Sequence, residues 1–272
     1  MKRHVFFISD GTGITAETLG LSLISQFTGL EFSHNTIPYV DSLEKAEAAL
    51  AEVNQIAEIS GDKPIVFMTL LDKTYRELIA QHDGLTIDLF SVFIPELEKE
   101  LNLKASGEKG RSHGVHDNAQ YHERIEAINY TLSTDDGLNP NYYDSADVIL
   151  IGVSRSGKTP TSLYLALHYG VATANYPLTD DDLLEGQLPK ALRAYTKKCF
   201  ALTIDPRRLQ QIRAQRRREG SYSTIGQCER EVRQAKAIFE HYDIPMLDTT
   251  ELSVEEISTR IVSEMKLVRK IG

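Results

Sequence analysis

Residues 146–166 place the strongest constraint on what this chain can fold into. Val148, Ile149, Leu150 and Ile151 form an unbroken apolar run rich in β-branched side chains, the pattern of a strand covered on both faces. The run leads directly into Gly152, Val153, Ser154, Arg155, Ser156, Gly157, Lys158 and Thr159, which satisfy G-x-x-x-x-G-K-[ST]. Residues 161–168 then continue as a helix. A doubly buried strand, a glycine turn and a helix make one βα unit, and such units are stable in a parallel sheet clothed by helices.

That loop also implies a chemistry. Its two glycines let backbone N–H groups turn toward phosphate oxygens, and the start of the following helix adds partial positive charge. Lys158 is placed to reach the terminal phosphates, and Thr159 to hold a Mg²⁺ ion that bridges them. Pro160 directly after the threonine is unusual for such loops, but an early helical position needs no N–H partner.

Elsewhere the chain alternates strand-like and helix-like segments. Strands are expected at residues 4–9, 32–40, 64–70 and 86–91, and helices at 14–26, 42–60, 75–82 and 94–103. In the helix at 42–60, Leu43, Ala46, Leu50, Val53 and Ile56 fall near one face. Residues 104–120 carry Gly107, Gly110 and Gly114 among charges and show no apolar period, so they read as a connection or a functional loop. A helix follows at 121–132, then Asp135, Asp136 and Gly137 as a stop and turn. After the glycine-lysine loop come strands at 171–176, 198–204 and 244–247 and helices at 209–218 and 227–242. Ser253 and Glu256 make a capping box for a C-terminal amphipathic helix, which is suited to a homodimer contact. The expected fold is therefore α/β. An N-terminal parallel-sheet domain (1–103) and a connector with a helix (104–144) precede a kinase-like nucleotide-binding domain (145–272). No repeat of fixed period is present; the halves share only the α/β rhythm.

Composition narrows the function. A net charge of -9 argues against nucleic acid as a partner. There is no long apolar run, so no membrane span is expected. The two cysteines, Cys199 and Cys228, lack metal-ligand spacing and read as reduced thiols of a cytoplasmic protein, with Cys199 in the core.

Other candidate sites carry two readings each. Gly11, Gly13 and Ala16 fit the dinucleotide form G-x-G-x-x-A, but the acidic ribose ligand expected about 20 residues on is not in place. An anion site using Asp10, Thr12 and backbone N–H groups fits better than NAD, and a turn without a ligand is the alternative. Asp205 ends an apolar strand as an acid positioned for Mg²⁺ would, or it caps the helix after it. Arg207, Arg208, Arg213, Arg216, Arg217 and Arg218 form a run in which Arg213 and Arg217 share a helix face, either as a lid over phosphates or as a solvated surface. His113, in the irregular connector, is a candidate general base, with an exposed loop histidine as the alternative.

Residues 152–166, together with Ser9, Asp10, Gly11, Thr12 and Gly13 and then Thr15, Ala16 and Glu17, closely resemble the bifunctional regulatory proteins of pyruvate phosphate dikinase and phosphoenolpyruvate synthase. The likeness extends over nearly the whole chain. It includes Arg124 to Ile128 with Asp135, Asp136 and Gly137, and Leu202 to Pro206 with Arg208, Leu209, Ile212 and Arg213. Residues 223–228 look more like the phosphoenolpyruvate synthase branch.

The resemblance implies two reactions on a threonine of the target enzyme. One is inactivating phosphorylation with ADP as donor. The other is removal of that phosphate by inorganic phosphate, releasing pyrophosphate. It implies that residues 152–159 bind the ADP phosphates and that Lys158 neutralises the β-phosphoryl group in transit. The phosphorolysis site is left open, with the Asp10 loop or the arginine helix as contributors. A small-molecule kinase, a non-catalytic nucleotide sensor and an NAD-dependent oxidoreductase remain the rival functions.

Overall fold

The first strand sets the architecture of the N-terminal half. In the computed structural model, which describes residues 2–107, 118–216 and 221–270, β1 (Lys2–Ser9) is buried from Val5 onward. Its alternate side chains serve two cores. Phe6 and Ile8 pack with Val66, Met68, Ala46, Ala49 and Val53 on one face, while Val5 and Phe7 pack with Ala16, Ile24 and Phe67 on the other. Only a central strand with helices on both sides has this use for every side chain.

The chain divides into two units, Met1–Gly114 and Val115–Gly272. In the first, β1 is followed by α1 (Ile14–Ile24), β2 (Glu31–Ile37), α2 (Leu43–Ser60), β3 (Ile65–Thr69), α3 (Lys73–Ile79), β4 (Leu85–Asp88) and α4 (Leu89–Leu101). The four strands are all parallel, in the order β2-β1-β3-β4. The second unit has α5 (Asn118–Ser133), β5 (Val148–Gly152), α6 (Lys158–Tyr169), β6 (Thr173–Pro177), α7 (Asp180–Glu185), β7 (Cys199–Thr203), α8 (Pro206–Arg216), α9 (Ile225–His241), β8 (Met246–Asp248) and α10 (Val254–Glu264). Its sheet is also parallel, in the order β6-β5-β7-β8. Each unit thus places its first strand beside its second and third, and its fourth outside the third. In both, the glycine loop after the first strand lies where the winding reverses, the position at which open α/β sheets hold ligands.

The apolar run at the start of the loop behaves as its pattern requires. Ile149 and Ile151 face a core built with α9, through Val232, Ala235 and Phe239. Val148 and Leu150 face Leu165 of α6 and Ile257 and Ile261 of α10. Cys199 and Cys228 are both buried, and burial pushes the Cys199 thiol up to about 12. Among the described residues no helix is long and apolar enough to cross a membrane.

Several boundaries differ from the sequence expectation for identifiable reasons. β2 stops at Ile37 because Pro38 has no N–H for the ladder, and residues 39–40 instead bond back to Gly11 and Ser9. The strand expected over 86–91 ends at Asp88, whose carboxylate accepts the Ser91 N–H and starts α4 earlier than expected. Leu43 on α2 is exposed, and Ala49 takes its place on the buried face. The helix assigned to a connector, α5, packs on α6 and β6 inside the second unit. The apolar face of α10, which suited it to a dimer contact, is used up against the sheet of its own unit.

Gly20 tests how tightly α1 lies on its sheet. A methyl group there would overlap the Phe7 ring edge and press on Phe67, two buried rings stacked 5.8 Å apart. Alanine gains about 1 kcal/mol in helix propensity, but overpacking costs about 1–3 kcal/mol. Urea unfolding of Gly20→Ala is expected to show a net loss of stability, whereas the same change at a solvent-facing helical glycine would show a gain.

Candidate functional site

The loop between β5 and α6 is shaped by its glycines and then by three supports. Gly152, at φ 155°, admits no side chain, because a Cβ would collide with the Leu202 carbonyl of β7. Gly157 (φ 92°) is the N-cap of α6, and no side chain caps that helix, so its first N–H groups are left to a ligand. Arg155 holds a left-handed φ of 75° without being glycine, a conformation that costs about 1 kcal/mol and clusters at functional sites.

The first support is a buried arginine. Arg213 of α8 donates from Nη1 and Nη2 to Glu231 of α9 at 3.1 and 2.6 Å. Nη2 also donates to the Ser154 carbonyl at 3.1 Å. The Tyr222 ring lies 4.1 Å from the guanidinium, and its hydroxyl donates to Ser154 Oγ at 2.8 Å. The second support is Thr249 after β8, whose hydroxyl donates to the Ser156 carbonyl at 3.1 Å.

The third support joins the loop to the turn after α5. Thr159 Oγ1 donates to Asp135 Oδ1 at 3.1 Å. The buried Asn175 of β6 donates its amide to the same oxygen and accepts the Asp136 N–H at 3.0 Å. Asp136 is forced into a left-handed conformation, φ 50° and ψ 39°. It lines a cavity of about 310 Å³ together with Ser154, Arg155, Gly157, Lys158, Thr159, Pro160 and Ile212.

Lys158 is the buried cation of this cavity. It is only 4% exposed and donates to the Val153 carbonyl at 3.0 Å. Burial pushes its ammonium down to about 8, opposed by the carboxylates of Asp136 and Asp135. A cation held in low dielectric beside two acids and an uncapped helix end attracts an anion and can stabilise charge moving between oxygens.

The other expected site residues lie as follows. Gly152, Val153, Ser154, Arg155, Ser156, Gly157, Lys158 and Thr159 form one continuous loop and helix start. Arg213 is not an exposed lid residue: it is 1% exposed and stands under the loop. Asp205 accepts the N–H groups of Arg207 and Arg208 at 2.8 and 3.0 Å, the geometry of a cap on α8. Asp10 belongs to the first unit, where its carboxylate accepts the Leu71 N–H at 3.0 Å beyond β3. His113 and Arg217 lie outside the described residues. By sequence Asp135 and Asp136 are a helix stop and turn; the structure adds that their carboxylates act on Lys158. Their signal was the Asp-Asp-Gly sequence itself, since a turn requires only one such acid.

The sequence model of the Kinase/pyrophosphorylase family matches residues 5–262. The chain is 51% identical over 270 residues to a protein of Pseudomonas fluorescens (strain Pf0-1), covering 99% of each. It is 50% identical over 271 residues to one of Hahella chejuensis and 51% identical over 271 residues to one of Legionella pneumophila (strain Corby), each pair covered in full. All three relatives bear the name "Putative phosphoenolpyruvate synthase regulatory protein". Coverage at this level takes in both units, so the likeness is not confined to the glycine loop.

The buried ion pair yields a stability prediction. The Arg213 and Glu231 side chains are 0% and 8% exposed, and removing one partner of such a pair costs about 3–5 kcal/mol. Glu231→Ala is expected to unfold at markedly lower denaturant. The double change Arg213→Met with Glu231→Leu should recover much of that loss while leaving Ser154 without its donor.

Proposed function

This chain belongs to the Kinase/pyrophosphorylase family, and from that membership and the chemistry of its loop we propose a bifunctional cytoplasmic phosphotransferase that regulates phosphoenolpyruvate synthase. In one direction it transfers the β-phosphoryl group of ADP to a threonine of the target. In the other, inorganic phosphate removes that group and pyrophosphate leaves. The shared name of the relatives supports the choice of target. Pyruvate phosphate dikinase is the alternative target of the same chemistry.

The observation that carries the reading is the cavity in which buried Lys158 meets Asp136 beside the uncapped start of α6. In phosphorylation the threonine oxygen forms a bond to the β-phosphorus as the bond from that phosphorus to the α,β-bridging oxygen breaks. AMP leaves, and Asp136 accepts the hydroxyl proton. Lys158 and the backbone N–H groups of the loop stabilise charge spread over the transferring oxygens. In phosphorolysis an oxygen of hydrogen phosphate attacks the phosphothreonine phosphorus and the bond to the threonine oxygen breaks; a protonated Asp136 donates to that oxygen and is reprotonated by the proton the phosphate sheds on becoming pyrophosphate. Inorganic phosphate then stands where the α-phosphate of AMP stood, so one cradle serves both reactions.

A magnesium ion fits this arrangement without an all-protein cage. Among the described residues no group of three or more His, Cys, Asp or Glu side chains is placed to hold a metal, and magnesium commonly takes one or two protein oxygens with phosphate and water for the rest. Thr159 Oγ1 and Asp135 Oδ1, 3.1 Å apart, would hold it, and it would neutralise charge on the phosphate oxygens.

The test is incubation of the full chain with purified phosphoenolpyruvate synthase and β-labelled ADP, followed by mapping of the label. Label on a threonine is expected; label on a small molecule, or on neither dikinase, would sink the reading. Lys158→Ala should lower both reactions by about a hundredfold or more. Asp136→Asn should lower kcat by about a hundredfold while leaving ADP affinity nearly intact. With the Lys158 ammonium titrating at about 8, ADP affinity should fall as pH rises past that value. The decline should be absent in Lys158→Ala when affinity is measured by calorimetry over roughly pH 7–9, about one unit either side of that titration.

A further inference from the structure

A second cavity, of about 240 Å³, opens on the other side of the loop. It is bounded by the loop itself, the segment after β8 and the first turn of α10. Ile204, Ile212 and Leu252 give it apolar walls, and Arg155 and Arg208 line it as well. Among the described residues no acidic side chain lines it, in contrast to the Asp136 side. Ser156 and Thr161 also border it, but both are buried, and the Ser156 hydroxyl lies back beneath the loop toward Gly152. Arg155 and Ile212 line both cavities, so one molecule lying across the edge of the loop would occupy both.

We infer that this second cavity takes the ribose and base of the nucleoside diphosphate whose phosphates lie on the loop. The inference rests on the proposed reading that the loop binds such a molecule. A flat heterocycle suits apolar walls with guanidinium groups beside them, which stack on aromatic faces. The acid-free lining also suits a group that lies next to phosphate. The two sides of the loop therefore have different tasks: the Asp136 side holds the reacting phosphoryl group and the acceptor, and the Leu252 side holds the nucleoside. Phosphorolysis, whose product is pyrophosphate, has no use for the second side.

The experiment is calorimetric titration of the full chain with ADP and, separately, with inorganic pyrophosphate. Val254 lines the cavity at the first turn of α10, where the cap comes from Ser253 and Glu256 rather than from residue 254. Val254→Arg is expected to weaken ADP binding by at least about tenfold and to leave pyrophosphate binding unchanged. Leu252→Ala, which only removes atoms, should shift ADP in the same direction by a smaller factor and keeps the measurement readable if the arginine variant does not fold. Lys158→Ala should weaken both ligands. Wild-type ADP affinity in both pocket variants would overturn the inference while leaving the proposed function intact, and so would an equal loss of ADP and pyrophosphate. Unchanged ADP binding with poorer labelling of the target protein would reassign the cavity to a segment of that protein. Failure of the wild-type chain to bind ADP at all would overturn both.

Discussion

The glycine loop owes its shape to an ion pair held almost entirely out of solvent. A loop rich in glycine has many conformations open to it, and ordering each residue costs about 1–2 kcal/mol. Arg213 offsets part of this by donating to the Ser154 carbonyl while Glu231 holds both of its terminal nitrogens. The guanidinium is planar and forked, so it fixes direction as well as distance, and lysine would not replace it. Tyr222 closes the arrangement from above the guanidinium and bonds the Ser154 side chain. Helices α8 and α9 thus set the width of a loop that belongs to neither.

On that base the loop separates charge. One flank carries Asp135 and Asp136, bound into the sheet through Asn175 and Thr159. The other flank carries arginines and apolar side chains. The lysine sits between them and below the surface. Such a division puts an acid-rich side and an acid-free side on the two flanks of one anion-attracting loop. The first unit repeats the strand order with a glycine loop in the equivalent position, but its Asp10 is engaged with the Leu71 N–H rather than with a cation.

Much of this was legible in the residues. The unbroken apolar run along 148–151 and the glycine spacing that follows imply a parallel sheet with a ligand loop at its edge, because few other structures satisfy both. Short or end-defined elements were less legible. Helix α7 is too brief for a 3.6-residue period to register, and α4 hid its start behind Asp88 and an internal Pro95. The partners of Lys158 were harder still. Asp135 and Asp136 lie more than twenty positions before it in sequence, and only the pairing of β6 with β5 and the packing of α5 bring them to the loop. Arg213 is hard to read for a related reason: its stretch of sequence also carries Arg207, Arg208 and Arg216, whereas its partner in space is Glu231. Charge runs report composition, and burial is a property of the fold.

The burial of Lys158 has a thermodynamic side. An ammonium displaced from its ordinary 10.5 to about 8 is disfavoured in the folded chain by about 3 kcal/mol relative to the unfolded one. That penalty is present throughout the neutral range and fades only as pH climbs through the interval between those two values. It is a sizeable share of the 5–15 kcal/mol, roughly, that holds a domain together. Any anion that restored the preference for the charged lysine would give this energy back to the fold. For the second unit, an anion bound at the loop would therefore also be a folding partner, and the same buried charge that attracts it would tie heat resistance to its supply.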